Sequence, residues 1–203
     1  MKQLAWVFGN TSNFSQAIRF ELESQGISTY GFGRDNTDYN NFDSFIDGKV
    51  IPDIVILNAN IEESIALQID IKNYNDISVE NIIDMFTQYS PVFLFFVKLI
   101  KWLESRDEPV TICSITSSVT AWPFKSNEYI MYAVLRSMLQ QVVFSASNSV
   151  CNAFCVSPSG IDSNNIKDYA KDVVYFINNK TDLALIDLGL QRTVIDILKN
   201  KNE

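Results

Sequence analysis

The chain has 203 residues, 47% of them hydrophobic and 20% charged, with a formal net charge of −8. These figures suit one domain with a substantial core, spanning residues 1–203, and leave little room for a second. The acidic balance excludes a phosphate-backbone binder, which needs Lys and Arg gathered on one face: Lys98 and Lys101 lie inside an apolar helical stretch, and Lys199 and Lys201 sit in the tail.

Histidine is absent, which removes Ser-His-Asp and Cys-His nucleophilic schemes and argues against a zinc site. No metal is expected, and acid–base chemistry falls to Tyr, Lys, Asp or Glu. Cys113, Cys151 and Cys155 are odd in number and lie in apolar stretches, as reduced thiols of a cytoplasmic protein would. The start, MKQLAWVFGN, turns polar too early for a secretory leader. The apolar run from Pro91 to Leu103 is too short to span a bilayer and carries two lysines. A cytoplasmic location with no membrane and no nucleic-acid partner is the expectation.

In chain order, Leu4 to Phe8 is an apolar run ending at Gly9, which predicts a first strand. The polar turn GNTSNFS follows, and a helix is predicted from Gln16 to Gln25 with Ala17, Ile18 and Leu22 on one side. Gly26 closes it, and ISTYGFG reads as a second strand, completing a βαβ unit. The stretch DNTDYNNFDSFIDGK allows at most one short helix, and Asp53 to Leu57 forms a continuous apolar strand. A helix is predicted from Val79 to Leu103 with Pro91 inside it, then a strand over VTICSI. Met131, Val134, Leu135, Met138, Leu139, Val142 and Val143 recur at the three–four spacing of a buried helical face. AFCVS is a strand, IKDYAKDVVYFINN a helix and DLALIDL a last strand. Strands alternating with helices imply a doubly wound, mainly parallel sheet whose ligands bind beyond the strands' carboxyl ends. The polar turns after Phe8, Leu57, Ile115 and Ser157 leave those ends.

At these turns the chain resembles the short-chain dehydrogenase/reductase family over nearly its whole length. GNTSNFS occupies the place of the glycine-rich phosphate turn, and LNANI that of the Asn-Asn-Ala-Gly segment. TSSVTA stands for the catalytic serine segment, and Tyr132-Ala-Val-Leu-Arg136 for Tyr-x-x-x-Lys. VSPSGIDS stands for Pro-Gly-x-Ile-x-Thr, and IDLGL for the Asp-Gly-Gly close of the last strand. The resemblance implies a Rossmann-like three-layer α/β/α sandwich and an NADP(H)-dependent oxidoreductase acting on a small carbonyl or alcohol.

On that resemblance the catalytic residues are Tyr132, the acid or base; Ser118, which holds the reacting oxygen; and Arg136, which contacts the nicotinamide ribose and lowers the tyrosine's pKa. Tyr132 and Arg136 lie one helical turn apart, on one face; Ser117 is the fallback for Ser118. Cofactor contacts fall on Gly9, Asn10, Thr11, Ser12, Asn13, Phe14, Ser15, Arg34, Asn58, Ala59, Asn60, Tyr132, Arg136, Pro158, Ser159 and Ile161. A small residue at Gly33 followed by Arg34 favours a 2′-phosphate, hence NADP over NAD.

Only Gly9 remains of the turn's glycines, Arg136 replaces a lysine, and the family's helical Asn has no match near Phe86 and Thr87. These departures leave a second reading open: a non-catalytic relative that binds a dinucleotide or works through protein contacts. The resemblance also implies a homodimer or homotetramer built on the helices holding Pro91–Leu103 and Met131–Phe144. Val92, Phe93, Leu94, Phe95, Phe96 and Val97 offer more apolar surface than one side of a sheet needs, the alternative being that the run is buried within one chain.

Overall fold

The computed structural model describes residues 3–58, 78–106, 108–116, 130–146, 151–158, 161–179 and 185–188, without the side chains of 81 and 130–133. In chain order the elements are β1 (Leu4–Phe8), α1 (Asn13–Ser24), β2 (Ser28–Phe32), α2 (Phe42–Ile46), β3 (Ile54–Leu57), α3 (Val79–Glu104), β4 (Val110–Ile115), α4 (Ile130–Ser145), β5 (Cys151–Ser157), α5 (Ile166–Asn178) and β6 (Leu185–Asp187).

The six strands form one sheet in the order β2-β1-β3-β4-β5-β6, and every pairing is parallel. The expectation of a mainly parallel sheet is thus met in full. From β1 the chain steps to β2 on one side and then to β3 on the other, so the crevice at their carboxyl ends is a topological switch point.

Side-chain alternation explains why these strands are continuously apolar. On β1, Ala5 and Val7 join Ile18 and Leu22 of α1 and Val173 and Ile177 of α5. Trp6 and Phe8, pointing the other way, join Phe42 of α2, Phe96 and Leu99 of α3, and Leu139 and Val143 of α4. A strand covered on both faces has no side to leave polar. The result is the three-layer α/β/α sandwich, with α1 and α5 on one face and α2, α3 and α4 on the other.

Helix α1 begins at Asn13, three residues before the expected start, because Ser12 caps it: the Ser12 hydroxyl accepts the Ser15 N–H at 3.0 Å. The second half of GNTSNFS is therefore the first turn of a helix. At the other end, Gly26 (φ +84°) takes the left-handed angle that stops it.

Helix α3 corrects another expectation. Phe95 and Phe96 are buried inside the chain's own core, not displayed for a partner, while Leu94 is 54% exposed. The helix has 26 residues, and its part from Ile82 to Glu104 is long and apolar enough to cross a bilayer by length and composition. Its buried face instead lies on the sheet through Phe95, Phe96, Leu99, Ile100 and Leu103. Trp102 stacks on Trp6, with ring planes 7° apart.

The three cysteines are free and buried, as expected. Burial pushes the Cys151 thiol up to about 11 and that of Cys155 to about 12. Burial also pushes the Tyr89 phenol, whose OH donates to the Leu135 carbonyl at 3.1 Å, up to about 12, against the opposing charge of Arg136. In the unfolded chain such thiols and phenols ionise near 9.0 and 10.0. Between those values and the folded ones the unfolded state releases protons that the folded state keeps, so stability falls as pH rises. Urea unfolding should show a midpoint that drops between pH 8.5 and 11; a midpoint that is level or rising would contradict these burials.

Candidate functional site at the carboxyl ends of the strands

The turn after β1 is built for close approach. Gly9 has φ +82°, which favours glycine, and its N–H and that of Asn10 both donate to the Phe32 carbonyl, at 2.8 and 3.1 Å. Ser12 N–H returns to the Gly9 carbonyl at 3.0 Å. The chain then enters α1, where the N–H groups of Asn13 and Phe14 have no intrahelical acceptor. A helix N-terminus opening on a switch-point crevice is suited to a phosphate by its donors and its dipole.

The places where the family has further glycines are filled differently. Asn13 is exposed, whereas Ser15 is fully buried. The amide of Asn58, at the end of β3, donates to the hydroxyls of Ser15 (2.8 Å) and Ser12 (3.0 Å). Ser12 Oγ also donates to Ser15 Oγ at 3.0 Å. The hydroxyl of Ser15 is thus bonded to Asn58 inside the fold, and Asn58 ties the β3 end to the β1 turn across the crevice. Phe14 packs its ring into the core and can offer a ligand only backbone.

At the end of β2 the backbone is held by Asn36, whose Oδ1 accepts the Gly33 N–H (2.7 Å) and whose Nδ2 donates to the Gly31 carbonyl (3.0 Å). A Cβ on Gly33 would come within 2.7 Å of Asp35 Oδ1 and 3.5 Å of Thr11 Cγ2. A side chain there would press on the Asp35 carboxylate but only touch Thr11 of the β1 turn, and Arg34 stands exposed beside them. A Cβ on Gly31 would meet Asn10 Oδ1 at 2.2 Å. Glycine there leaves room for the Asn10 amide, which accepts a hydrogen bond from Arg19; Arg19 in turn reaches Thr29 (3.0 Å) and Glu23 (3.6 Å).

The third group gathers around β4, β5 and α4. Arg136 is buried, 7% exposed, and its Nη1 donates to the Ile115 carbonyl at 2.7 Å. Its guanidinium is thus held inside the fold against the β4 backbone. Thr116, the next residue after β4, continues the ladder by donating its N–H to the Val156 carbonyl (2.8 Å), and its hydroxyl donates to Gln140 Oε1 at 3.4 Å. Gln140 lies one turn beyond Arg136 and is also buried. Ser157 and Pro158 close β5, both buried, and Ile161 packs towards the α1/α5 face.

The structure thus brings Gly9 to Ser15, Arg34 and Asn58 together at the β1–β2–β3 end, and Arg136 and Pro158 at the β4–β5 end. Tyr132 lies in the first turn of α4, one turn before Arg136. Its side chain, with Ser117, Ser118, Ala59, Asn60 and Ser159, falls outside the described residues. Arg19, Asn36, Thr116, Gln140 and Ser157 belong to these clusters but went unnoticed in the sequence. Gln140 had a signal, since it interrupts an apolar helical face one turn after Arg136. Among the described residues no cluster of His, Cys, Asp or Glu could hold a metal ion.

No protein-family model matches the chain, and no curated protein matches its sequence. Solved structures match it closely in shape. A small-chain dehydrogenase in complex with NADPH is 13% identical with TM-score 0.69, over 93% of this chain and 97% of that one. Serine dehydrogenase from Escherichia coli is 13% identical with TM-score 0.69, over 92% and 97%. A short-chain dehydrogenase/reductase from Vibrio parahaemolyticus is 15% identical with TM-score 0.65, over 91% and 98%. The chain has the Rossmann-like fold of the short-chain dehydrogenases/reductases.

The Asn58 tie gives a direct test. Asn58→Ala removes the amide donor shared by Ser12 and Ser15, leaves the buried Ser15 hydroxyl with only the bond from Ser12, and should lower the unfolding free energy by about 0.5–1.5 kcal/mol. Urea denaturation with an unchanged m-value would register it, and a loss below about 0.5 kcal/mol would show the bonds to be incidental.

Proposed function

We propose that the chain is an NADP(H)-dependent oxidoreductase acting on a small carbonyl or alcohol substrate. The observation that carries this reading is the pairing of two sites on one sheet edge. An open helix N-terminus with a left-handed Gly9 stands at the β1–β3 crevice, and a buried cation, Arg136, stands at the end of β4 one turn after Tyr132. The NADPH complex of one structural neighbour supports the same choice of cofactor.

A bound nicotinamide dinucleotide would supply or accept the hydride. Within the turn from Gly9 to Ser15, the backbone N–H groups of Asn13 and Phe14 would hold its pyrophosphate, with Asn58, Ala59 and Asn60 beside them. Arg34 would pair with the 2′-phosphate, and Pro158, Ser159 and Ile161 would line the nicotinamide end. Tyr132 would give a proton to the carbonyl oxygen, or take one from the alcohol in reverse; Ser118 would hydrogen-bond that oxygen. Arg136 would contact the ribose and favour the phenolate by its charge.

A second reading keeps the dinucleotide site and drops the chemistry. It is favoured by the bond from Arg136 to the Ile115 carbonyl, which engages part of the guanidinium that stands in the place of the family's lysine. One series of measurements separates the two. Calorimetry should show NADPH binding more tightly than NADH by about 10- to 100-fold, with Arg34→Ala erasing most of the difference. A screen of carbonyls with NADPH should find turnover that Tyr132→Phe reduces by about 10²–10⁴-fold at nearly unchanged cofactor affinity. A parent that binds no dinucleotide ends both readings, and turnover that survives Tyr132→Phe ends the assignment of Tyr132.

The reading includes a cytoplasmic location and a homodimer or homotetramer. Ile83 and Leu94 on α3 and Val134 on α4 are exposed apolar groups on adjoining helices, which supports contact between copies there. Sedimentation at micromolar concentration should give a mass of two or four chains; a single-chain mass would remove this part of the proposal.

A further inference from the structure

The hydroxyl of Ser157 is the exception in an otherwise satisfied strand end. Ser157 is fully buried, and among the described residues its Oγ has no hydrogen-bond partner. Its direction follows from the strand's alternation. Cys151, Ala153 and Cys155 face the α3/α4 layer, while Phe154 and Val156 face α1 and α5, so Ser157 faces α3 and α4. On that face its neighbours are polar. Thr116, beside it across the β4–β5 ladder, is bonded to Gln140 of α4, and Arg136 lies one turn from Gln140 with a bond to the Ile115 carbonyl. On the other side Ser157 stands in register with Asp187 of β6, which shares its face because Cys155 and its partner Leu185 both pack in the α3/α4 layer.

A buried hydroxyl without a partner is a standing cost in the free protein, and replacing it by a methyl would be neutral or favourable. Here it lies at the carboxyl end of a central strand, where molecules bind in such sheets, and next to the cation of the candidate site. Pro158, which follows, has no N–H to offer a ligand at this point.

We infer that Ser157 is a specificity-determining residue: its hydroxyl hydrogen-bonds an uncharged polar group, of carbonyl or amide type, on the molecule seated at the ends of β4 and β5. This rests on the oxidoreductase reading and deepens it. Two sources carry that chemistry at the reacting end, the carboxamide of the nicotinamide and a carbonyl oxygen of the substrate.

The test uses Ser157→Ala and the full chain. Without ligand, the variant should melt at the parent's temperature or above it. In calorimetry, if the carboxamide is the partner, NADPH affinity falls by about five- to twentyfold while that of 2′,5′-ADP, which lacks the nicotinamide, stays the same. If the substrate is the partner, NADPH affinity is unchanged and KM for a turned-over carbonyl rises by a similar factor. An apo melting temperature lowered by more than about 4 °C would reveal a hydroxyl bonded within the fold and overturn the inference. Variant and parent alike in NADPH affinity, with no carbonyl's KM moved, would overturn it too. A parent that binds neither NADPH nor 2′,5′-ADP fails the functional reading itself and takes this inference with it. A parent that binds both, matched throughout by Ser157→Ala, fails this inference alone.

Discussion

The site depends on how β1 and β3 are held at their carboxyl ends, and that junction turns on one amide. Asn58 reaches from the end of β3 to the hydroxyls of Ser12 and Ser15, so one side chain fixes the start of α1 against the neighbouring strand. Ser12 is also the cap of α1, so the same bonds set where the helix begins and which backbone N–H groups face the crevice. A sheet that winds in two directions must open a gap between β1 and β3. In this chain the gap is bridged beneath the turn by Ser15, leaving the backbone of Gly9 to Phe14 above it. Serine at a family glycine position is thereby accommodated: its hydroxyl is bonded to Asn58 and Ser12 inside the fold.

Around that junction, packing follows from the two-sided sheet. Aromatic residues are concentrated on one face, where Trp6, Phe8, Phe32, Phe45, Phe95 and Phe96 meet edge to face, or stacked in the case of Phe8 and Phe32, within about 6 Å. This cluster anchors α2 and α3 over the β1–β2 end through Phe95 and Phe96. The same helix leaves Ile83 and Leu94 exposed, and its stretch from Ile82 to Glu104 is long and apolar enough to cross a bilayer by length and composition.

Much of this was legible in the sequence. All six strands and the long helices follow from apolar runs, three–four periodicity and glycine stops, because those signals are the packing itself. The start of α1 was misjudged by three residues: GNTSNFS is polar enough to read as loop, and only the capping bond of Ser12 shows where it ends. The apolar excess of α3 was misassigned because sequence shows that Phe95 and Phe96 are apolar, not that α2 and the β1 aromatics lie opposite them. The site residues that escaped notice share a property. Arg19, Asn36, Gln140 and Ser157 act through contacts with residues elsewhere in the fold or through backbone geometry, and no motif spacing encodes those contacts.

Arg136 shows how the two ends of the site differ in what substitution means. Lysine carries a compact charge on a flexible stem, whereas arginine presents a rigid fork of five donors. With Nη1 on the Ile115 carbonyl, the guanidinium is fixed to the backbone of β4 at the point where the chain turns into Thr116 and the serine segment. A cation held this way is oriented by the strand before any ligand arrives, and it lowers the cost of ionising a nearby phenol by charge alone. The same pull is visible on Tyr89, where Arg136 opposes the rise that burial causes. The exchange of lysine for arginine therefore trades mobility for fixed placement. The exchange keeps the positive charge at this position and changes the geometry of its donors. The two ends thus differ in how their cations are placed: Arg136 is buried and bonded to the β4 backbone, whereas Arg34 stands exposed at the end of β2.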